Sequence, residues 1–271
     1  MLDGWPSVQF RWRPERLKLL TVALLAVVLL QGWLPVHAQE LPRLDISPRP
    51  AEGVPAAQVH ALPPSLAQWP INDAGDYFEQ ITPTAAGYLV WSRFPVRVFI
   101  EPIASEAEQS TRINWVTAVQ QAVQEWNQYL PLTPVDRPEI ADIAIWRRTP
   151  PLQFAPGHSA ELGRVRSAET RYEIGIDRPP NAAAVLTHRF QIWLRPDQTS
   201  AYLQAAARHE LGHALGIWGH SSASTDALYF SQVRNPPGIS ARDINTLQKI
   251  YQQPTRLGWA LINSSNRVTA Q

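Results

Sequence analysis

The stretch RHELGHALGIWGH, residues 208–220, constrains this chain more than any other, because it dictates a helix and also the way that helix ends. It holds three of the seven histidines: His209, His213 and His220. On an α-helix, positions i and i+4 lie on one face a turn apart, so His209 and His213 point the same way. Two neutral imidazoles so placed can grip one ion, and imidazole nitrogen is a preferred zinc ligand. Gly216 predicts the helix end, since glycine accepts the left-handed backbone of a sharp exit. The chain then turns back, and His220 can supply a third ligand. Three protein ligands leave a fourth position open, which marks a catalytic rather than a closed structural zinc site. Glu210 sits beside a ligand in sequence and reaches the same side without binding the ion. There it can take a proton from an activated water. The expectation is one catalytic Zn2+ held by His209, His213 and His220, with Glu210 as general base.

A helix of this kind needs a body to hold it. With 271 residues, 45% hydrophobic and 17% charged, the chain can build a sizeable core. FPVRVFIEP alternates, with Val96, Val98 and Ile100 on one face, and predicts a strand. STRINWVTAVQQAVQEWNQYLP places Val116, Val119, Val123, Trp126 and Leu130 on one stripe and predicts a helix capped by Ser110 or Thr111. Further strands are expected at 141–146, 163–176 (an edge strand) and 187–194. The histidine helix is expected to start at Thr199 or Ser200. A third helix is expected over 240–251, with Ser240 and Asp243 spaced as a capping box. This order predicts one α+β (α/β-like) domain.

Composition excludes several partners and chemistries. The net charge is +1 and no basic block follows residue 18, which argues against nucleic acid as a partner. The chain has no cysteine, so disulfides, thiolate zinc ligands and a cysteine nucleophile are excluded. The amino terminus runs from a basic segment (Arg11 to Lys18) through an apolar run (Leu19–Leu30) to a small-x-small site at Val36-His37-Ala38. That order predicts a signal peptide, residues 1–38, and hence a secreted or extracytoplasmic protein of the periplasm or cell envelope. The alternative is an uncleaved membrane anchor over 19–39. Seven prolines between Pro42 and Pro70 deny most of that zone a helix or ladder. Residues 39–84 are read as a linker or pro-segment, or as a stretch lying over the domain through Leu62, Leu66 and Trp69.

HELGHALGIWGH resembles the long zinc signature of the metzincin metallopeptidases, and Ser221 after the third histidine is typical of the matrixin branch. AVQEWNQYLPLTPV…ADIAIW and ISARDINTLQKIY are also similar to matrixin segments, so the resemblance covers roughly residues 85–253. It implies a metzincin-type catalytic domain over 85–253, followed by a tail at 254–271. Such a domain has a twisted mixed sheet with an antiparallel edge strand, packed against two long helices, plus a carboxy-terminal helix. By this resemblance His209, His213 and His220 are the zinc ligands, and Glu210 is the base of a secreted zinc metalloendopeptidase. The substrate would be a protein or peptide lying extended on an edge strand, which is placed at 164–170.

The chain departs from the family in places. Leu228 stands where metzincins carry a methionine beneath the zinc, and Phe230 stands where matrixins have a proline. A structural zinc or calcium, common in matrixins, has no acidic loop to support it. His158, Glu161 and His188 are scattered and are read as ordinary surface or strand residues. Two alternatives remain: an inactive zinc-binding matrixin-like module that holds peptides or proteins, and a zinc hydrolase acting on a small amide.

Overall fold

The computed structural model describes residues 52–70, 72–103, 109–151 and 166–263. The proposed signal peptide, His158 and Glu161 lie outside these residues. In chain order the elements are β1 (Glu52–Gly53), α1 (Pro64–Ala67), a 3-10 turn (Phe78–Gln80), β2 (Val96–Ile100), α2 (Gln109–Trp126) and β3 (Leu132–Val135). A second 3-10 turn (Pro138–Ile140) leads to β4 (Ile143–Trp146), β5 (Ala168–Asp177), β6 (Val185–Leu194), α3 (Ser200–Ala214), α4 (Ala241–Tyr251) and β7 (Ile262–Asn263).

Period-two burial builds the main sheet. In β6 every second residue is buried, with Phe190, Ile192 and Leu194 at 0% exposure. The sheet has five strands in the order β3-β2-β4-β6-β5. The β2–β3, β2–β4 and β4–β6 pairs are parallel, and β5 runs antiparallel to β6 from Ala168–Leu194 to Asp177–Val185. The protein is thus a mixed α+β structure with a mostly parallel sheet and an antiparallel edge strand. β3 is not apparent in the sequence because Pro134 interrupts it. An edge position tolerates proline, which has no N–H to give a ladder.

α2 packs along α3, and α3 lies on β5 and β6. The buried face of α2 is Trp115, Ala118, Val119, Ala122 and Trp126. It is rotated from the expected stripe: Val116 and Val123 flank it, and Leu130 is buried beyond the helix end. The helix also begins at Gln109, which puts Ser110 and Thr111 inside its first turn instead of at its cap. Where the two helices touch, Arg208, 8% exposed, donates from Nη2 to Glu125 Oε1 at 2.8 Å and from Nε to Oε2 at 2.5 Å. α4 starts with the expected Ser240/Asp243 capping box.

Residues 52–84 are laid against this body. β1 pairs antiparallel with β7, and Gln58 bridges Thr255. Leu66 is 0% exposed, Gln248 Nε2 donates to its carbonyl at 2.8 Å, and Trp69 Nε1 donates to Asn245 Oδ1 at 2.8 Å. The described residues of this zone thus lie over the domain, through Leu66 and Trp69. The same contacts incorporate the carboxy-terminal stretch as far as Asn263. Among the described residues no helix is long and apolar enough to cross a membrane.

Candidate metal centre and cleft

Thr199 caps α3, its side chain accepting from the Tyr202 N–H. The helix then carries His209, Glu210 and His213 in its last two turns. At its end Gly216 takes φ +131°, and the Ile217 N–H returns to the Gly212 carbonyl at 3.0 Å. Other carbonyls near this end are satisfied by side chains. Trp91 Nε1 donates to Ala214 O at 2.9 Å, and the Tyr251 hydroxyl donates to Leu215 O at 3.0 Å. A helix end left without such partners would bury unpaired acceptors.

This exit brings His220 back to the other two histidines. The three candidate ligand nitrogens lie within 4.8 Å of one another. His209 Nε2 and His213 Nε2 are 3.1 Å apart. Two ligands of a tetrahedral zinc at 2.0–2.1 Å would be separated by ~3.3 Å.

The surrounding hydrogen bonds also fit a metal. His209 Nδ1 donates to Ala227 O at 2.9 Å, and His213 Nδ1 donates to Ile217 O at 2.7 Å. In a neutral ring that leaves Nε2 bare. Two bare lone pairs facing each other at this distance cannot hydrogen-bond, and a cation between them resolves the conflict. Burial holds His213 well below the ordinary histidine range, with His209 and His220 adding to the effect. Burial and the neighbouring His209 push His220 down to about 4. Both are thereby kept in the neutral form that binds metal.

Glu210 faces the cleft and is not one of the three converging donors. Enclosure of its carboxylate pushes its pKa up. His209 and the Thr170 hydroxyl, which donates to Oε2 at 2.6 Å, pull the other way. Thr170 belongs to the edge strand β5.

Below the centre is a turn over residues 223–229. Leu228 is 0% exposed, and a Cβ on Gly212 would meet its Cδ2 at 2.6 Å, so the glycine lets Leu228 press against the helix. The Ser221 N–H donates to Leu228 O at 2.8 Å. Asp243 Oδ2 accepts from the Ala227 N–H at 2.8 Å, and Asp243 Oδ1 accepts from the Tyr77 hydroxyl at 2.5 Å. Asp243 is therefore more than a helix cap. It fixes Ala227, the residue whose carbonyl orients His209. The sequence signalled the cap but not this second role, and it placed Thr170 on the edge strand without its contact to Glu210; nothing in it marked Tyr77 or the Ala227 and Ile217 carbonyls.

Gly219 has its own steric reason. A Cβ there would sit 2.2 Å from Gln80 O and 3.0 Å from Gln80 C, both backbone atoms. Gly219→Ala must therefore displace the segment that delivers His220. We expect zinc affinity in chelator competition to fall by roughly 10–100-fold, the scale seen when a ligand's support is lost. Unchanged affinity would show that His220 is positioned independently of this contact.

The centre opens into a cleft of about 1020 Å³ bordered by β5 residues 168–170, Trp218, His220 and Phe230. β5 pairs only with β6, so its outer edge is free of ladder partners among the described residues. A side pocket of about 160 Å³ opens between Ala205 and Ala206 of α3 and the segment Val233–Pro237. Phe230, 64% exposed, borders both spaces. His188 stands apart from this site. It is 2% exposed, stacks on Trp91 at 4.0 Å and is pushed down to about 3 by burial, which makes it a core residue.

Fold and site together define a mixed α+β protein with a three-histidine centre in an open cleft beside an antiparallel edge strand. No known protein-family model matches the chain, and no curated protein matches it.

Proposed function

We propose that this protein is a zinc-dependent metalloendopeptidase of the metzincin type, matrixin-like, which cuts peptide bonds. The observation that carries this reading is the convergence of three imidazole nitrogens within 4.8 Å, beside a carboxylate that is not one of them. His209, His213 and His220 would hold one zinc ion. When bound there, zinc polarises a carbonyl and makes a water more acidic.

The remaining chemistry belongs to the chain's own residues. Glu210 takes the proton of the attacking water and delivers it to the leaving amine. The Thr170 hydroxyl holds that carboxylate in position. The free edge of β5 offers N–H and C=O groups to an extended peptide, whose side chains can occupy the cleft and the side pocket. A cleft open along a strand edge favours a peptide over a small amide held in a closed pocket. The signal peptide expected over residues 1–38 would place this peptidase outside the cytoplasm.

The feature that favours an inactive peptide-binding module is Leu228 in place of methionine. Leucine has a similar volume and forms the floor with no exposed surface. Leu228→Met is therefore expected to change kcat/KM by less than ~10-fold, as volume-conserving swaps usually cost little. A gain of several orders of magnitude would show that leucine disables the natural site. The reading as a whole is tested by measuring zinc content and digesting an unbiased peptide library with the purified protein. Full zinc loading without any cleavage would replace the peptidase by the binding module.

A further inference from the structure

Arg166 lies two residues before β5, is exposed, and borders the cleft. Its charged neighbours are already paired. Arg195 is bound to Asp197 through two hydrogen bonds, and Arg171 is bound to Glu169 at 3.1 Å while its guanidinium lies over the Trp193 ring. Among the described residues Arg166 has no anionic partner in contact. Its charge acts on Glu210 through space and lowers that carboxylate's pKa, but no hydrogen bond or ion pair to a described carboxylate holds the guanidinium. Beside the paired Arg195–Asp197 and Glu169, the lining holds the uncharged polar Ser167, Gln198 and Gln232.

We propose that Arg166 is a specificity-determining residue that binds a carboxylate of the substrate. The inference rests on the peptidase reading above and names the substrate class of that cleft.

Thr170 touches Glu210, so it marks the level of the bond to be cut. Arg166 precedes it by four residues, across a bend at Ser167 that leads into β5, and is near enough for its charge to act on Glu210. From this position Arg166 can meet a substrate group within about four residues of that bond. A guanidinium forms bidentate bonds with carboxylates, and a partly enclosed cleft screens them less than open water does. The carboxylate is either an Asp or Glu side chain or the free carboxy terminus of a peptide cut near its end.

The test uses fluorescein-labelled nonapeptides of alanine and leucine. They carry one Glu, or Gln in its place, at positions two to four from the central bond on either side, each with a free or an amidated carboxy terminus. Binding is measured to zinc-loaded Glu210→Gln protein with Arg166 intact and with the added change Arg166→Gln. Cleavage is measured with the wild-type protein.

With Arg166 intact, a carboxylate-bearing peptide should bind about 5-fold tighter than its neutral counterpart at low salt. The advantage should shrink as salt rises. With Arg166→Gln the ratio should fall to about one. A Glu/Gln effect identifies an internal acidic residue, and a free/amidated effect identifies the terminal carboxylate. An equal ratio in both proteins overturns the proposal.

Failure of the peptidase reading looks different. If wild type cuts nothing while the binding ratio still depends on Arg166, the carboxylate site stands and the peptidase does not. If wild type cuts peptides without any carboxylate preference, the reverse holds. If no peptide binds, the carboxylate site is overturned, and the peptidase falls with it when the wild type also cuts none.

Discussion

Glu210→Gln is expected to keep its zinc and to lose peptide hydrolysis by roughly 10²–10⁴-fold, the usual worth of general-base help. The amide matches the carboxylate in size and can still pair with the Thr170 hydroxyl, so the fold near the site should not change. Its inability to accept a proton is the relevant difference. The three converging nitrogens do not include Glu210, so metal content should match the wild type. The comparison needs equal zinc loading and the same peptide library. Loss of zinc in the variant would make Glu210 a ligand and remove it as the base. Equal cleavage by both proteins would mean that another group is the base or that a contaminant does the cutting.

His213→Ala is expected to abolish stoichiometric zinc binding and to lower thermal stability. His213 is the most buried of the three, at 8% exposure, and its Nδ1 also satisfies the Ile217 carbonyl in the turn that leads to His220. Removing it deletes a ligand and loosens the path of another. The loss in affinity should exceed the 10–100-fold typical of an outer partner. A ligand present at a thousandfold excess over its Kd stabilises the folded state by about 4 kcal/mol. For a domain of this size its loss lowers Tm by roughly 10 °C.

The cavity left by the missing ring destabilises as well, and a chelator separates the two contributions. EDTA should lower the wild-type Tm substantially and leave the variant unaffected. Full zinc occupancy in His213→Ala would sink the ligand assignment. An EDTA-insensitive wild type that contains zinc would show that the metal does not support the fold.

Much of this was legible in the linear chain because it is local. His209 and His213 share a face through the 3.6-residue period, and Gly216 had to end the helix because a left-handed backbone was needed there. The Ser240/Asp243 box and the alternation of β2 and β6 are short-range patterns of the same kind. The apolar residues of α2 were legible too, but not which of them faced inward. Ala118 and Ala122 form that face only because α3 lies against it.

Tertiary structure decided the rest. Thr170 meets Glu210 across 40 residues, Ala227 orients His209 across 18, and Tyr77 reaches Asp243 across 166. The acceptors that orient His209 and His213 are both backbone carbonyls, which any residue type carries, so no side-chain pattern announces them. Gly212 and Gly219 lie within the histidine stretch, but the atoms that exclude a Cβ there belong mainly to Leu228 and Gln80, whose approach depends on the path of the whole chain. Periodicity tells which residues share a face. Only the packed chain determines what that face meets, because contacts between distant segments depend on the summed geometry of everything between them.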